Sequence, residues 1–301
     1  MTLRRQLSDP AVAGVLGALV IAFSAILVDL AKVSPAAAAF FRCAYALPVL
    51  GALALYEDRL HGSRTWRERR LAVPAGLLFA VDLIAWHHAI GDVGAGLATV
   101  LGNLQVVVVP FLALVLLSEP VPRRVLLALP IVCVGVLLVS GALESGAYGA
   151  DPRRGVLYGL VTGLTYAGFL IVQRQGSLDL RRPAGPLFDM SLVAALAAGL
   201  YMAATSDGDI VPAWPSAGWL ATLAITSQVI GWLLITVSLP RLPAAMTSLT
   251  LTIQPIGSVA LGAILLGQDP SALQLAGVAC ILAGLLSVAL RRRARYAVAA
   301  E

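Results

Sequence analysis

The chain alternates long apolar runs with short polar breaks. Ten runs stand out, at 11–31, 35–55, 71–91, 95–117, 123–142, 155–174, 186–205, 216–238, 243–266 and 271–290. Most are about the 20 residues that a helix needs to cross a hydrocarbon core of about 30 Å. They are too long and too uniformly apolar for the alternating strands of a barrel, and a helix satisfies its backbone groups internally. The pattern predicts an all-α integral membrane protein with ten transmembrane helices. Connections this short leave no room for a soluble domain. Met1 to Pro10, with Arg4 and Arg5, has the look of a signal-peptide start. The run behind it is too long for an h-region, so it is read as a retained first helix.

The pattern also repeats. Moved forward by 149 positions, the stretch Ala95 to Val139 lies on Ala244 to Val288 without a gap: Gln105 meets Gln254, Leu112 meets Leu261 and Gly135 meets Gly284. Each copy is an apolar run, a turn with an acid and a proline (Ser118-Glu119-Pro120 and Gln268-Asp269-Pro270), then a second apolar run. Similar halves that are each a set of spans are the trace of a transporter fold. Five spans per half is an odd number, so the second half enters the membrane from the opposite side. The expected organisation is two inverted five-helix repeats. They run over 11–142 and 155–290, with a cytoplasmic N-terminus over 1–10, an outer connection over 143–154 and a basic cytoplasmic tail over 291–301.

Composition agrees: 59% of the residues are hydrophobic, 12% are charged and the mean hydropathy is +0.89. Soluble chains carry about 25% charge. The net charge of +5 does not point to nucleic acid, because the arginines cluster in breaks between spans rather than on one face of a domain. Their distribution orients the chain. The N-terminus, the even-numbered connections and the tail hold Arg59, Arg64, Arg69, Arg70, Arg123, Arg124, Arg181, Arg182 and others, while the odd connections hold only Lys32, Arg153 and Arg154. Positive residues stay inside, so both termini are expected in the cytoplasm. Cys43, Cys133 and Cys280 sit singly in apolar runs and read as small apolar fillers.

Gly155, Gly159 and Gly163 recur every four residues on the sixth span. That spacing suits close helix packing, and it is equally what glycine-rich membrane helices contain by composition. Prolines fall inside spans two, three, four, five and nine, at Pro48, Pro74, Pro110, Pro130 and Pro255. Each removes a backbone donor.

Several features together resemble the drug/metabolite transporter superfamily, and its EamA family in particular. These are Phe41-Arg42 near the start of span two, the Leu-Leu-x-Glu/Gln turns after spans four and nine, Gln254-Pro255 midway in span nine, and Gly135 and Gly284. In the first half Gln105 is followed by Val106, and the proline comes only at Pro110, a departure from strict equivalence. The resemblance implies a multi-pass carrier of the bacterial-type inner (cell) membrane, often an exporter of amino acids or related compounds. It also implies a central cavity lined by spans one, three, four, six, eight and nine.

Charge within a bilayer is costly, so ionisable groups inside spans are candidates for function. Asp82 lies mid-span with Trp86 one helical turn on. Gln228 and Trp232 repeat that spacing on span eight. Asp82 either carries a proton or an amine, or is buried in an ion pair with Arg42, which lies about 10 Å into its helix. His87 and His88 follow; they are either a proton relay or hydrogen-bonded structure. Thr247, Thr250, Gln254 and Ser258 form one polar stripe on span nine, and span four offers Thr99, Asn103 and Gln105. The expected substrate contacts are Gln105, Gln254, Trp86, Trp232, Asn103 and Thr250, with Asp82, Arg42, His87 and His88 for proton or charge coupling. Interhelical hydrogen bonding is the plain alternative for the amides and hydroxyls.

No GxxxxGK[ST] loop, GxSxG nucleophile, paired acidic motif or metal-ligand spacing occurs in the sequence. The reading is a gradient-driven secondary transporter, not an enzyme, with no cofactor and no metal. It moves a small organic metabolite by alternating access. The alternatives are an intramembrane enzyme and an ungated channel or structural protein. Its partners are the solute and the lipid bilayer, and a monomer suffices.

Overall fold

The structure is a computed structural model that describes residues 10–117, 121, 123–206, 212–238, 240–242 and 251–290. The described residues are helical, with no strand among them. The helices are α1 (Pro10–Ala22), α2 (Ser24–Ala31), α3 (Pro35–His61), α4 (Trp66–Arg70), α5 (Ala72–Gly102), α6 (Gln105–Leu117), α7 (Arg123–Val139), α8 (Pro152–Gly176), α9 (Ala184–Thr205), α10 (Ser216–Leu223), α11 (Trp232–Ser238), α12 (Ile253–Leu266) and α13 (Ala272–Leu290). A π-helical segment, Ala224–Gly231, joins α10 to α11. Among the described residues, six segments are long and apolar enough to cross a membrane: Pro10–Ala31, Pro35–His61, Glu68–Gly102, Pro152–Gly176, Ala184–Thr205 and Ser216–Ser238. Shorter apolar helices accompany them, among them Ile253–Leu266 and Ala272–Ser287.

Two expectations change. Spans three and four are not separated by a loop. They run on as α5, bent at Gly94, whose φ of 84° is open to glycine and strained for other residues. The fourth span is itself interrupted: α5 ends at Gly102, Asn103 and Leu104 form a turn, and α6 starts at Gln105. The short helix α4 was also not expected. Thr65 and Glu68 close a capping box over its start, which is why five residues hold a helix there. The turn at 118–120 lies outside the described residues, as do the two terminal segments.

The largest packing pairs are α5 with α8, α3 with α9 and α7 with α13. The glycine ridge is used for the first: Gly159 faces Leu101 at the end of α5, and Gly163 faces Leu104 in the turn that follows it. α7 and α13 cross at backbone contact. A Cβ at Gly135 would lie 2.7 Å from the Gly277 carbonyl oxygen, and one at Gly277 would lie 2.7 Å from the Gly135 oxygen. At the other end of the crossing Gly284 faces Val132 and Ala128. The numbers run in opposite directions, so α7 and α13 are antiparallel.

Polar ties join the halves at both ends of the bundle. At one end Arg64 grips Asp189 with two bonds of 2.6 and 3.3 Å, and Glu57 accepts from the Ala184 and Gly185 backbone amides, both at 2.9 Å, at the start of α9. A carboxylate suits a helix N-terminus, where amides lack partners. At the other end Arg154 holds Asp92 with bonds of 2.9 and 2.5 Å, Gln268 accepts from the Gly96 amide, and Ser271 donates to Glu144. Exposed Trp66 marks the first end and exposed Trp214 the second, the level at which indoles favour a membrane interface. Arg64 is almost fully buried in its pair. Removing one partner of a buried ion pair strands the other, so Arg64→Ala is expected to cost about 3 kcal/mol. It should appear as a lower melting temperature in detergent, and an unchanged melting curve contradicts a structural role for the tie.

Candidate functional site

A cavity lies inside the bundle where the helices are least regular. It is lined by Ile21 and Ser24 from α1 and α2, Arg42 from α3, Phe79, Asp82, Leu83 and Trp86 from the first half of α5, and Thr99, Gly102 and Asn103 from its end. Thr162 and Tyr166 from α8, Trp232 from α11 and Gln254 from α12 complete it. It gives the centre of a water molecule about 50 Å³ to move in. One water needs about 10–15 Å³ on that measure, so there is room for a few waters or a small solute. The lining spans are one, three, four, six, eight and nine, as the resemblance implied, with span two added through Arg42.

Four interruptions of the helices meet here. α1 and α2 part at Phe23, α5 and α6 part at Asn103–Leu104, span eight passes through its π segment, and Thr252 forms a turn just before α12. Irregular backbone inside a membrane is tolerated where it lines a cavity or is re-satisfied locally, and π segments gather at functional sites. Side chains add bonds beside two of these breaks. Ser24 Oγ donates to the Ile21 carbonyl at 2.6 Å, Thr99 Oγ1 to Ala95 at 2.8 Å and Asn103 Nδ2 to Thr99 at 3.0 Å.

The charges are arranged unusually. Arg42 is 2% exposed and Asp82 6%, each within the other's field, yet no ion pair joins them. Arg42 Nε instead donates to Gln228 Oε1 at 3.0 Å, and Gln228 Nε2 donates to Ser191 Oγ at 3.0 Å. The guanidinium carbon lies 5.9 Å from the Phe79 ring centre and 6.0 Å from that of Trp86, within range of a cation–π attraction. Asp82 Oδ1 is buried without a hydrogen-bond partner among the described residues. So are Asn103 Oδ1, Thr162 Oγ1, Trp232 Nε1 and Gln254 Nε2. Buried polar groups are normally paired. This cavity therefore offers both acceptors and donors to whatever enters it.

The aromatic wall is equally ordered. Trp232 stands edge-on to Phe79, Tyr166 and Phe169, with ring centres 5.5, 6.1 and 5.0 Å away. It is a smooth apolar surface beside a charged corner.

Of the expected site residues, Arg42, Asp82, Trp86, Asn103, Trp232 and Gln254 come together in this one cavity. Gln105 does not. It is fully buried beside α8, near Gly163, and neither end of its amide has a partner among the described residues. The Asn103–Leu104 turn changes the phase of the helix and turns position 105 away. The direct Arg42–Asp82 pair is replaced by the Gln228 contact. His87 lies behind the lining with its Nδ1 3.1 Å from the Pro35 carbonyl oxygen, and His88 stacks on Tyr158 at 4.6 Å. Thr250 lies outside the described residues. Phe79, Thr162 and Tyr166 were missed. Phe79 was within reach of sequence reasoning, three residues before Asp82 on the same face, as was the Thr162–Tyr166 pair one turn apart. Among the described residues no three His, Cys, Asp or Glu side chains gather as metal ligands.

Comparison with known proteins bears on the whole chain. The model of the EamA-like transporter family matches twice, over residues 10–141 and 153–290. No curated protein matches significantly. A solved structure described only as the crystal structure of a protein superposes with a TM-score of 0.65 at 17% identity, covering 95% of this chain and 98% of the other. At that identity the likeness speaks for the fold alone.

Proposed function

The chain belongs to the EamA-like transporter family of the drug/metabolite transporter superfamily, and on that premise we propose that it is a gradient-driven exporter of amino acids or similar small metabolites. It works by alternating access in a bacterial-type inner (cell) membrane, with both termini cytoplasmic. The observation that carries this is the pair of opposite charges that share a cavity without closing on each other. A guanidinium suits a carboxylate, and a carboxylate suits an ammonium. A zwitterion can bridge the two, with its apolar part on the Phe79–Trp232 wall and its remaining polar atoms near Asn103 and Gln254.

In carriers built from inverted repeats, two near-equivalent halves of opposite orientation let the central site open to either side in turn. The same family model matches each half. Under the 149-residue offset, the contacts of Gly135 with Gly277 and Ile281 map onto those of Gly284 with Ala128 and Val132. Contacts that map onto themselves when the halves are exchanged are what a pseudo-two-fold axis produces. An axis that exchanges two antiparallel helices is perpendicular to both. In membrane-crossing helices such an axis runs in the membrane plane, which supports reading the two halves as an inverted repeat. The arginine bias supports the orientation.

The test is flux in proteoliposomes, using a panel of radiolabelled amino acids with and without a pH gradient. Saturable flux of at least one zwitterion is expected, faster with the gradient if Asp82 carries the coupling proton. No flux of any small metabolite under either condition overturns the carrier reading.

A further inference from the structure

Ser191 does not line the cavity, yet it is fully buried on α9 and ends a chain of hydrogen bonds that begins at the cavity arginine. Gln228 is the middle link. Its carbonyl oxygen is used by Arg42 Nε and its amide nitrogen by Ser191 Oγ. All three side chains are at most 2% exposed. The π segment carries Gln228, and α9 packs along α3, the helix that bears Arg42.

We propose that Ser191, acting through Gln228, is a positioning residue for the Arg42 guanidinium. A guanidinium is a planar fork with three edges, and only the edge between Nη1 and Nη2, or one that pairs Nε with an Nη, can take a carboxylate with two parallel bonds. With Nε committed to Gln228, the Nη1–Nη2 edge is the one left for a solute. The link also holds Arg42 off Asp82, keeping both charges available at once. Gln228 alone cannot do this, because a free amide rotates about its last torsion and can offer nitrogen instead of oxygen. Arg42 Nε can only donate, so it selects the oxygen, and Ser191 accepts from the nitrogen and holds the amide in that orientation.

The reading of the bound group as a carboxylate rests on the carrier proposal, whereas the holding of Nε does not. Two measurements keep them apart. The first uses no solute: the purified protein, with ¹⁵N-labelled arginine, is examined by NMR, and the Arg42 Nε–H signal is identified by its loss in Arg42→Lys. Ser191→Ala is expected to shift that signal and speed its exchange with water, and Ser191→Thr to restore it. An unchanged signal in Ser191→Ala overturns the proposal whatever the protein transports. The second compares the zwitterion found to be carried with the amine that lacks its carboxylate. Loss of one positioning hydrogen bond corresponds to about a three- to tenfold rise in KM. The rise is expected for the zwitterion with maximal rate nearly kept, not for the amine, and absent in Ser191→Thr. An equal rise for both solutes, or none, overturns the positioning role. If the wild-type protein carries neither solute, it is the carrier reading that falls, and the NMR result alone decides whether Ser191 holds Arg42.

Discussion

Asp82→Asn is expected to stop transport while leaving the protein inserted. The substitution keeps the shape of the side chain and removes its charge. An ammonium in the cavity loses its counter-charge, and Arg42 is left without an opposite charge among the groups that line the cavity. Removing the carboxylate that a bound ammonium would pair with costs about 2–5 kcal/mol of binding, which corresponds to roughly a thirtyfold loss of apparent affinity or more. Flux in proteoliposomes measures it. Arg42→Gln in the same chain separates folding from function, since the neutral double variant regains stability but not flux. Gln254→Ala, which removes one orphaned donor, is expected to cost about tenfold or less. Normal transport by both Asp82→Asn and Gln254→Ala would remove the cavity assignment altogether.

The second large effect concerns the helix crossing. Gly135→Ala is expected to destabilise the protein by about 1–3 kcal/mol, the range for forcing one extra carbon into a packed interior. The obstacle is the Gly277 carbonyl oxygen at 2.7 Å, part of a helix backbone, together with Ile281. Backbone cannot rotate aside, so α7 and α13 must part. Gly277→Ala meets the Gly135 oxygen at the same distance and is expected to cost as much. Gly284→Ala is the informative contrast. It meets a Val132 methyl closely, but the nearest backbone atom on α7 only at 3.6 Å, so a side-chain adjustment can absorb it. Melting of the three purified variants in one detergent ranks them. If all three melt with the wild type, the backbone contact at the crossing is wrong.

Much of the candidate cavity's lining was legible because its residues are anomalies in an apolar chain. Arg42, Asp82, Asn103 and Gln254 are polar side chains inside apolar runs, where they are too costly to be accidental. Trp86 and Trp232 stood one turn from polar partners. The aromatic wall was legible only by its spacing from polar neighbours, one turn from Asp82 and from Thr162, since Phe79 and Tyr166 read equally well as core. Gln105 was misplaced for a physical reason: helical phase propagates only through an unbroken helix, and the turn at Asn103–Leu104 resets it. Gln254 follows a turn of its own at Thr252 yet faces the cavity, so equal positions in the two copies do not carry equal surroundings. Nothing in the residues at Phe23 or along Ala224–Gly231 announces a helix break or a π segment. These irregularities depend on neighbouring helices.

The sequence by itself determined the class of the protein. Run lengths set by the thickness of a bilayer, arginines concentrated in alternate connections, and a duplicated pattern with one offset are local or additive properties, and each can be read without knowing what packs on what. Tertiary structure alone decided which groups meet. It set Arg42 against Gln228 rather than Asp82, sent Gln105 into the packing against α8 and made Ser191 the anchor of a chain that ends in the cavity. Those outcomes turn on a few ångströms and a fraction of a helical turn, which are set by contacts between segments far apart in the chain.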